Sequence, residues 1–105
     1  VFVLPISDIP RNAGRWPNKI GDFLYFERPI ISNPTGDLPD LFSNKRLGFL
    51  CSNEPKAYYD ILEKLLNSSN NQLVQICADG RKTAIDLSSN NRVVILENIY
   101  KTITV

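Results

Sequence analysis

Three short apolar runs, separated by stretches of helical character, constrain the fold of this chain more than any other feature. They are Val1 to Leu4, Pro29 to Ile31 and Leu47 to Cys51. None of them alternates apolar with polar residues, and continuous runs of this kind are typical of parallel strands that are covered on both faces. The pattern therefore predicts an α/β fold: a partial Rossmann-like domain with a short parallel sheet of about three strands flanked by helices.

The segments between the first runs carry helix signals. Residues 5–12 read as a loop, Pro17-Asn18 opens a predicted helix over about 17–27, and Arg28-Pro29 ends it because proline disfavours helical geometry in the preceding residue. Residues 38–42 predict a single helical turn. The helix over 17–27 thus leads directly into the second predicted strand, and the helical turn at 38–42 precedes the third.

The last fifty or so residues are mostly helical in pattern. A helix from Pro55 to about Asn67 is the most regular, since its apolar residues recur at three- and four-residue spacing. Residues 73–84 continue the pattern with Gly80 weakening its middle, and a stretch from Arg92 has near-helical spacing, although its β-branched residues leave a strand as the alternative. The predicted core residues are Phe23, Leu24, Ile30, Ile31, Phe49 and Leu62.

Composition excludes several kinds of function. The 105 residues form one domain or a piece of one, and a net charge of +1 argues against nucleic acid as the main partner. Two cysteines without any histidine exclude a four-ligand zinc site and a Cys/His catalytic pair within the chain. We interpret Cys51 and Cys77 as reduced core residues, which favours a cytoplasmic location, and no apolar run is long enough to span a bilayer.

The beginning of the chain suggests a fragment. Val1 takes the place of an initiator methionine, and the first predicted strand has nothing before it. A strand left exposed in this way could pair with another copy, so a dimer caused by truncation is one expectation.

A candidate binding site lies between Gly14 and Asp37. Lys19 and Asp22 share one face of the first helix, and Arg15 and Asn18 stand at or just before its N-terminus, where free amides and the helix dipole favour an anion. The turn Thr35-Gly36-Asp37 follows the second strand, and ligands of open parallel sheets bind at the carboxyl ends of the strands. The alternative is that Lys19 and Asp22 form a surface ion pair and that the turn is only a turn.

The residues of this region carry a family resemblance. The segment from Arg15 to Leu24, followed by Arg28-Pro29-Ile30-Ile31 and by Gly36 to Leu41, resembles the carboxy-terminal domain of family 4 (group 1) glycosyltransferases of the two-Rossmann GT-B architecture. The likeness continues into Leu47 to Leu50 and into the later helices. It implies that residues 1–105 are the carboxy-terminal half of the nucleotide-sugar-binding domain of a larger enzyme.

In that family two acidic residues separated by seven others face the nucleotide-sugar. Asp22 matches the second, which binds the ribose hydroxyls, while Gly14 stands where the first acid is expected and leaves Asp8 as the nearest acid on the preceding loop. Trp16 either stacks on a base or packs as a lid. The donor-binding residues that the resemblance and the spacing indicate are Arg15, Asn18, Lys19, Asp22, Thr35, Gly36 and Asp37.

The resemblance implies transfer of a sugar from a UDP- or GDP-linked donor to a hydroxyl acceptor, with no metal or other cofactor. The catalytic Arg/Lys pair and the acceptor site of such an enzyme would lie in its missing amino-terminal part, so no catalytic residue is assigned within these 105. A lipid acceptor would place the parent enzyme at the inner face of a membrane. The alternatives are a stand-alone α/β module that binds nucleotides or phosphates without catalysis, and an interaction domain.

Overall fold

The computed structural model describes residues 1–7, 9–14 and 19–103. Its strands are β1 (Phe2–Leu4), β2 (Ile30–Ser32) and β3 (Gly48–Leu50). The helices within these residues are α1 (Pro10–Ala13), α2 (Lys19–Tyr25), α3 (Leu38–Phe42), α4 (Pro55–Leu66), α5 (Asn70–Ile76), α6 (Gly80–Asp86) and α7 (Ser89–Ile103). The mixed α/β class with a parallel sheet of three strands, predicted from the sequence, is confirmed.

The sheet has the strand order β1-β2-β3, and both pairings are parallel. Ile31 of the central strand stands opposite Val3 on one side and Phe49 on the other. All three residues of β2 are buried, which explains why two isoleucines follow one another in this strand, while the third residue, Ser32, is polar.

The core lies between the sheet, α2 and α3. It is formed by the buried side chains of Ile20, Leu24, Ile30, Leu38, Leu41 and Leu47. At the outer edge Phe2 stacks on Phe23, with ring centroids 4.2 Å apart and planes 7° apart, and so fixes α2 against the first strand. Of the predicted core, Leu24, Ile30 and Ile31 are fully buried, whereas Phe23, Phe49 and Leu62 are half-buried.

Helix α6 packs closely against α2. A Cβ on Gly80 would stand 2.8 Å from the Leu24 carbonyl oxygen, so only glycine allows the two backbones to come this near. The loop before β3 is tied to the same region by Arg46 and Asp79. The Asp79 amide donates to the Arg46 carbonyl, the Arg46 amide donates to the Asp79 carboxylate, and the two side chains form an ion pair of 3.2 Å. The sequence prediction that Gly80 weakens the middle of one helix is therefore replaced by a break: α5 ends at Ile76 and Gly80 begins α6.

The structure corrects one further prediction and decides between the two alternatives of another. Residues 5–12 were expected to be all loop, but a short helix begins at Pro10, whose missing N–H costs nothing in a first turn. The stretch from Arg92 is helical, in a helix that starts at Ser89, and the strand alternative is wrong.

Helix α7 is the least covered element. It has no buried residue, and its apolar side chains are between 48% and 70% exposed: Val93, Val94, Ile95, Leu96, Ile99, Tyr100 and Ile103. None of the helices in the described part of the chain is both long and apolar enough to cross a membrane.

Candidate functional site

The predicted site divides into residues that the structure describes and residues that it does not. Lys19, Asp22 and the turn from Thr35 to Asp37 are described. Arg15 and Asn18, together with Asp8 and Trp16, lie outside the described residues. Their assignments therefore remain predictions from the sequence.

The turn after β2 has a well-defined backbone. The Thr35 amide donates to the Asn33 carbonyl at 2.8 Å, and the Leu38 amide donates to the Thr35 carbonyl at 3.3 Å. Gly36 has a φ of 60°, a conformation that glycine adopts without strain. The Thr35 side chain is buried, whereas Gly36 and Asp37 are exposed, so a ligand from solvent would meet the Gly36 backbone and the Asp37 carboxylate.

Lys19 is the first residue of α2, and Asp22 follows in its first turn. Because the end of α2 leads into the start of β2, the helix runs against the strand direction and its first turn lies toward the carboxyl edge of the sheet. Both side chains are exposed. The topology thus places the first turn of α2 and the turn after β2 toward the same edge of the sheet, and a ligand site there stays a prediction from the sequence.

The Lys19 and Asp22 side chains do not form the surface ion pair that the sequence left as an alternative. The ion pairs within residues 1–7, 9–14 and 19–103 are Arg46–Asp79, Lys56–Asp60 and Arg81–Glu27. No hydrogen bond among the described residues joins Lys19 or Asp22 to the turn at Thr35–Asp37 either. The Asp22 carboxylate is therefore available to an external donor.

Asp22 lies in the wall of a cavity of about 490 Å³ between α2 and the junction of α6 with α7. Tyr25, Leu87, Ser88 and Ser89 line it as well. A carboxylate accepts hydrogen bonds only, whereas serine and tyrosine hydroxyls both donate and accept, so the cavity offers partners for a ligand rich in hydroxyls. The sequence analysis did not predict Ser88, Ser89 or Tyr25 as site residues. The one signal in the sequence was the position of Tyr25, three residues after Asp22 and so on the same face of the helix.

The centre of the carboxyl edge is occupied by Asn33, which sequence analysis also missed. Its side chain is buried, its Oδ1 accepts from the Ile6 amide at 2.7 Å and from the Tyr58 hydroxyl at 2.8 Å, and its Nδ2 donates to the Cys51 carbonyl at 2.8 Å. Next to it, the Ser32 hydroxyl donates to the Leu4 carbonyl at 2.7 Å. A polar residue directly after a buried strand was the only signal of this junction in the sequence.

Burial shifts the pKa of two groups at this edge upward, further from neutral pH. Desolvation raises the pKa of the Cys51 thiol. Desolvation also raises the pKa of Tyr58, against the opposing effect of its hydrogen bond to Asn33. The phenol therefore acts here as a hydrogen-bond donor.

Both cysteines are free. Cys77 is buried as predicted, and its thiol donates to the carbonyl of Glu27 at 3.2 Å, whereas Cys51 is only half-buried. In the described part of the chain no three cysteine or acidic side chains lie close enough together to hold a metal ion.

A second cavity, of about 420 Å³, lies beside α4 and α5 and is lined by Lys64 and Gln72 among others. It contains no predicted site residue.

Comparison of the chain with protein-family models, with curated proteins and with solved structures found no match. The resemblance to glycosyltransferases thus rests on the sequence pattern of residues 15–41.

Proposed function

We propose that this chain is the donor-binding part of a glycosyltransferase, in which Asp22 and the turn after β2 hold a UDP- or GDP-linked sugar at the carboxyl edge of the sheet. The observation that carries the proposal is the exposed Asp22 carboxylate, which has no ion-pair partner among the described residues and faces a polar cavity. An exposed acid without a partner at such an edge suits the cis-diol of a ribose, whose two hydroxyls can both donate to one carboxylate.

The surrounding groups fit the other parts of such a donor. Lys19 supplies a positive charge one turn before Asp22, and Arg15 would add a second next to the same helix end. These cations would attract a diphosphate by charge-assisted hydrogen bonds. The exposed backbone at Gly36 allows close approach of a ligand to the turn.

The sequence pattern favours a glycosyltransferase over other nucleotide-binding proteins. Asp22 and the segment from Arg28 to Asp37 stand in the order and spacing of the family's donor site. In such an enzyme the main contribution to catalysis would be electrostatic stabilisation of the departing diphosphate. Here Lys19 would contribute to it, while the acceptor site and the catalytic pair would lie in another part of the parent enzyme.

Calorimetric titration with UDP and with GDP tests this proposal. We expect one of them to bind, and Asp22→Asn to weaken that binding about tenfold, because it removes a charged acceptor of hydrogen bonds. Asp60→Asn is the matched control, since Asp60 forms only an exposed pair with Lys56 on α4. Equal affinities of the wild type and Asp22→Asn, or no binding of either nucleotide, would contradict the proposal.

A further inference from the structure

The side chain of Asn33 connects three segments that follow the strands of the sheet. Although it is only 3% exposed, it has three polar partners: the Ile6 amide after β1, the Cys51 carbonyl after β3, and the Tyr58 hydroxyl near the start of α4. The strands themselves end at Leu4, Ser32 and Leu50. Asn33 therefore links the segments that follow the three strands, just beyond the last paired residues of the sheet.

The chemistry at this position requires an amide. Oδ1 must accept two hydrogen bonds and Nδ2 must donate one, and among short side chains only asparagine offers both at this reach. Aspartate would keep the two acceptor bonds but would turn an oxygen toward the Cys51 carbonyl. Alanine would remove the partner of two part-buried donors, the Ile6 amide and the Tyr58 hydroxyl, and of one acceptor, the Cys51 carbonyl, which costs more than the loss of a surface hydrogen bond.

The predicted ligand turn is attached to this junction. The Thr35 amide donates to the backbone carbonyl of Asn33 at 2.8 Å, so the position of Asn33 determines where Thr35, Gly36 and Asp37 stand. Tyr58 reaches the same side chain from α4 and has no other role in the hydrogen bonding of the edge.

We infer that Asn33 is a positioning residue, which with the Tyr58 hydroxyl holds the three loops at the carboxyl edge as one unit and so sets the geometry of the turn that contacts the donor. The second half of this inference rests on the proposed function. The first half, the coupling of the three loops through Asn33, needs no ligand. Hydrogen exchange therefore tests the first half, and nucleotide affinity tests the second.

Tyr58→Phe is the most conservative test, because it removes one hydroxyl and keeps the ring. Tyr59→Phe is its matched control: Tyr59 is the next residue and is 63% exposed. We expect amide hydrogen exchange at Ile6 and Thr35, whose amides donate to Asn33, to accelerate about fivefold in Tyr58→Phe and to stay unchanged in Tyr59→Phe. Acceleration confined to α4 would overturn the inference.

A second comparison separates positioning from general stability. Ile61→Val, one turn further along α4, is expected to lower the urea midpoint by an amount similar to Tyr58→Phe while leaving exchange at Ile6 and Thr35 unchanged. The nucleotide that binds the wild type should bind Tyr58→Phe about fivefold more weakly and Ile61→Val with wild-type affinity. Equal losses in both variants would reduce Asn33 and Tyr58 to a structural role.

The two failures are distinguishable. If the wild type binds neither UDP nor GDP, the proposed function fails, and the exchange rates alone decide whether the loops are coupled through Asn33. If nucleotide binds and Tyr58→Phe leaves both exchange and affinity unchanged, the proposed function stands and the positioning role is wrong.

Discussion

Gly48 stands opposite Ile30 in the parallel pairing of β2 and β3, so near that a Cβ on Gly48 would overlap the Ile30 backbone nitrogen and oxygen. Gly48 also has a φ of 141°, which side chains of L-residues rarely adopt. The glycine is therefore required twice, by conformation and by space. It allows β3 to join the sheet directly after the buried Leu47.

We predict that Gly48→Ala lowers the free energy of unfolding by at least about 2 kcal/mol, because the new methyl group can be accommodated only if two paired strands separate. Urea denaturation monitored by circular dichroism measures the loss. Gly21→Ala is the control: no atom stands within 4 Å of its Cβ position in α2, so alanine should stabilise the helix by about 0.5–1 kcal/mol. A Gly48→Ala protein as stable as the wild type would show that the register of β3 is wrong.

Gly14 provides a test of the family resemblance by gain of function. It has a φ of −93° and nothing within 4 Å of its Cβ position, so the backbone and the space both admit a larger residue. Gly14→Glu restores the carboxylate that the resemblance expects to hold the sugar hydroxyls. We predict that it raises the affinity for a nucleotide-sugar relative to the bare nucleotide, measured by competition titration, and that Gly14→Gln raises it less. No difference between the two variants would argue against the alignment of Gly14 with that position.

The difference in burial between α2 and α7 predicts that a leucine-to-alanine substitution lowers the free energy of unfolding much more in α2 than in α7. Leu24 is 1% exposed in the core, whereas Leu96 is 48% exposed on α7. Leu24→Ala should cost about 2–5 kcal/mol of unfolding free energy, and Leu96→Ala less than about 1 kcal/mol, because little packing is lost and alanine favours the helix. Both are read from urea midpoints at the same low protein concentration. A large loss for Leu96→Ala would mean that α7 is packed against the domain.

The Arg46–Asp79 contact predicts a pH dependence of stability. Hydrogen bonds from the Arg46 side chain and backbone hold the pKa of Asp79 below its usual value. Because the folded-state pKa is the lower one, this contribution is present above the unfolded pKa of about 4 and is lost as the pH falls below it. The stability difference between the wild type and Asp79→Asn should therefore shrink between about pH 6 and pH 2.5.

Arg46→Ala supplies the control for that measurement. In its background, the pH dependence of the Asp79→Asn difference should become smaller without vanishing, because the side-chain hydrogen bonds that lower the pKa of Asp79 are gone while the Arg46 amide still donates to the carboxylate. A difference that is the same at both pH values in the wild-type background would contradict the assignment.

The sequence predicted best the elements whose residue pattern follows directly from burial. The run around Ile30 and Ile31 is apolar because β2 is buried on both sides, and the periodicity of Tyr58, Ile61 and Leu65 in α4 follows from its single packed face. Both elements were predicted nearly to their ends. The helix at Pro10 was missed because four residues are too few for any periodicity to be visible.

The site was only partly readable for a different reason. Lys19 and Asp22 stand on α2 as their spacing predicts, but Ser88 and Ser89 reach the same cavity from the far end of the chain. Likewise, Asn33 meets Ile6, Cys51 and Tyr58 through side-chain contacts between segments distant in sequence. Such contacts depend on tertiary packing, which the spacing of residues within one segment of the sequence does not predict.

Chemical shift mapping on the ¹⁵N-labelled chain during titration with UDP and with GDP tests the central claim most directly. The account predicts that one nucleotide shifts the amides of Lys19 to Asp22 and of Gly36 and Asp37 together, and that Asp22→Asn reduces both sets of shifts. Shifts confined to α4, α5 or α7, or no shifts at all in a folded sample, would contradict it.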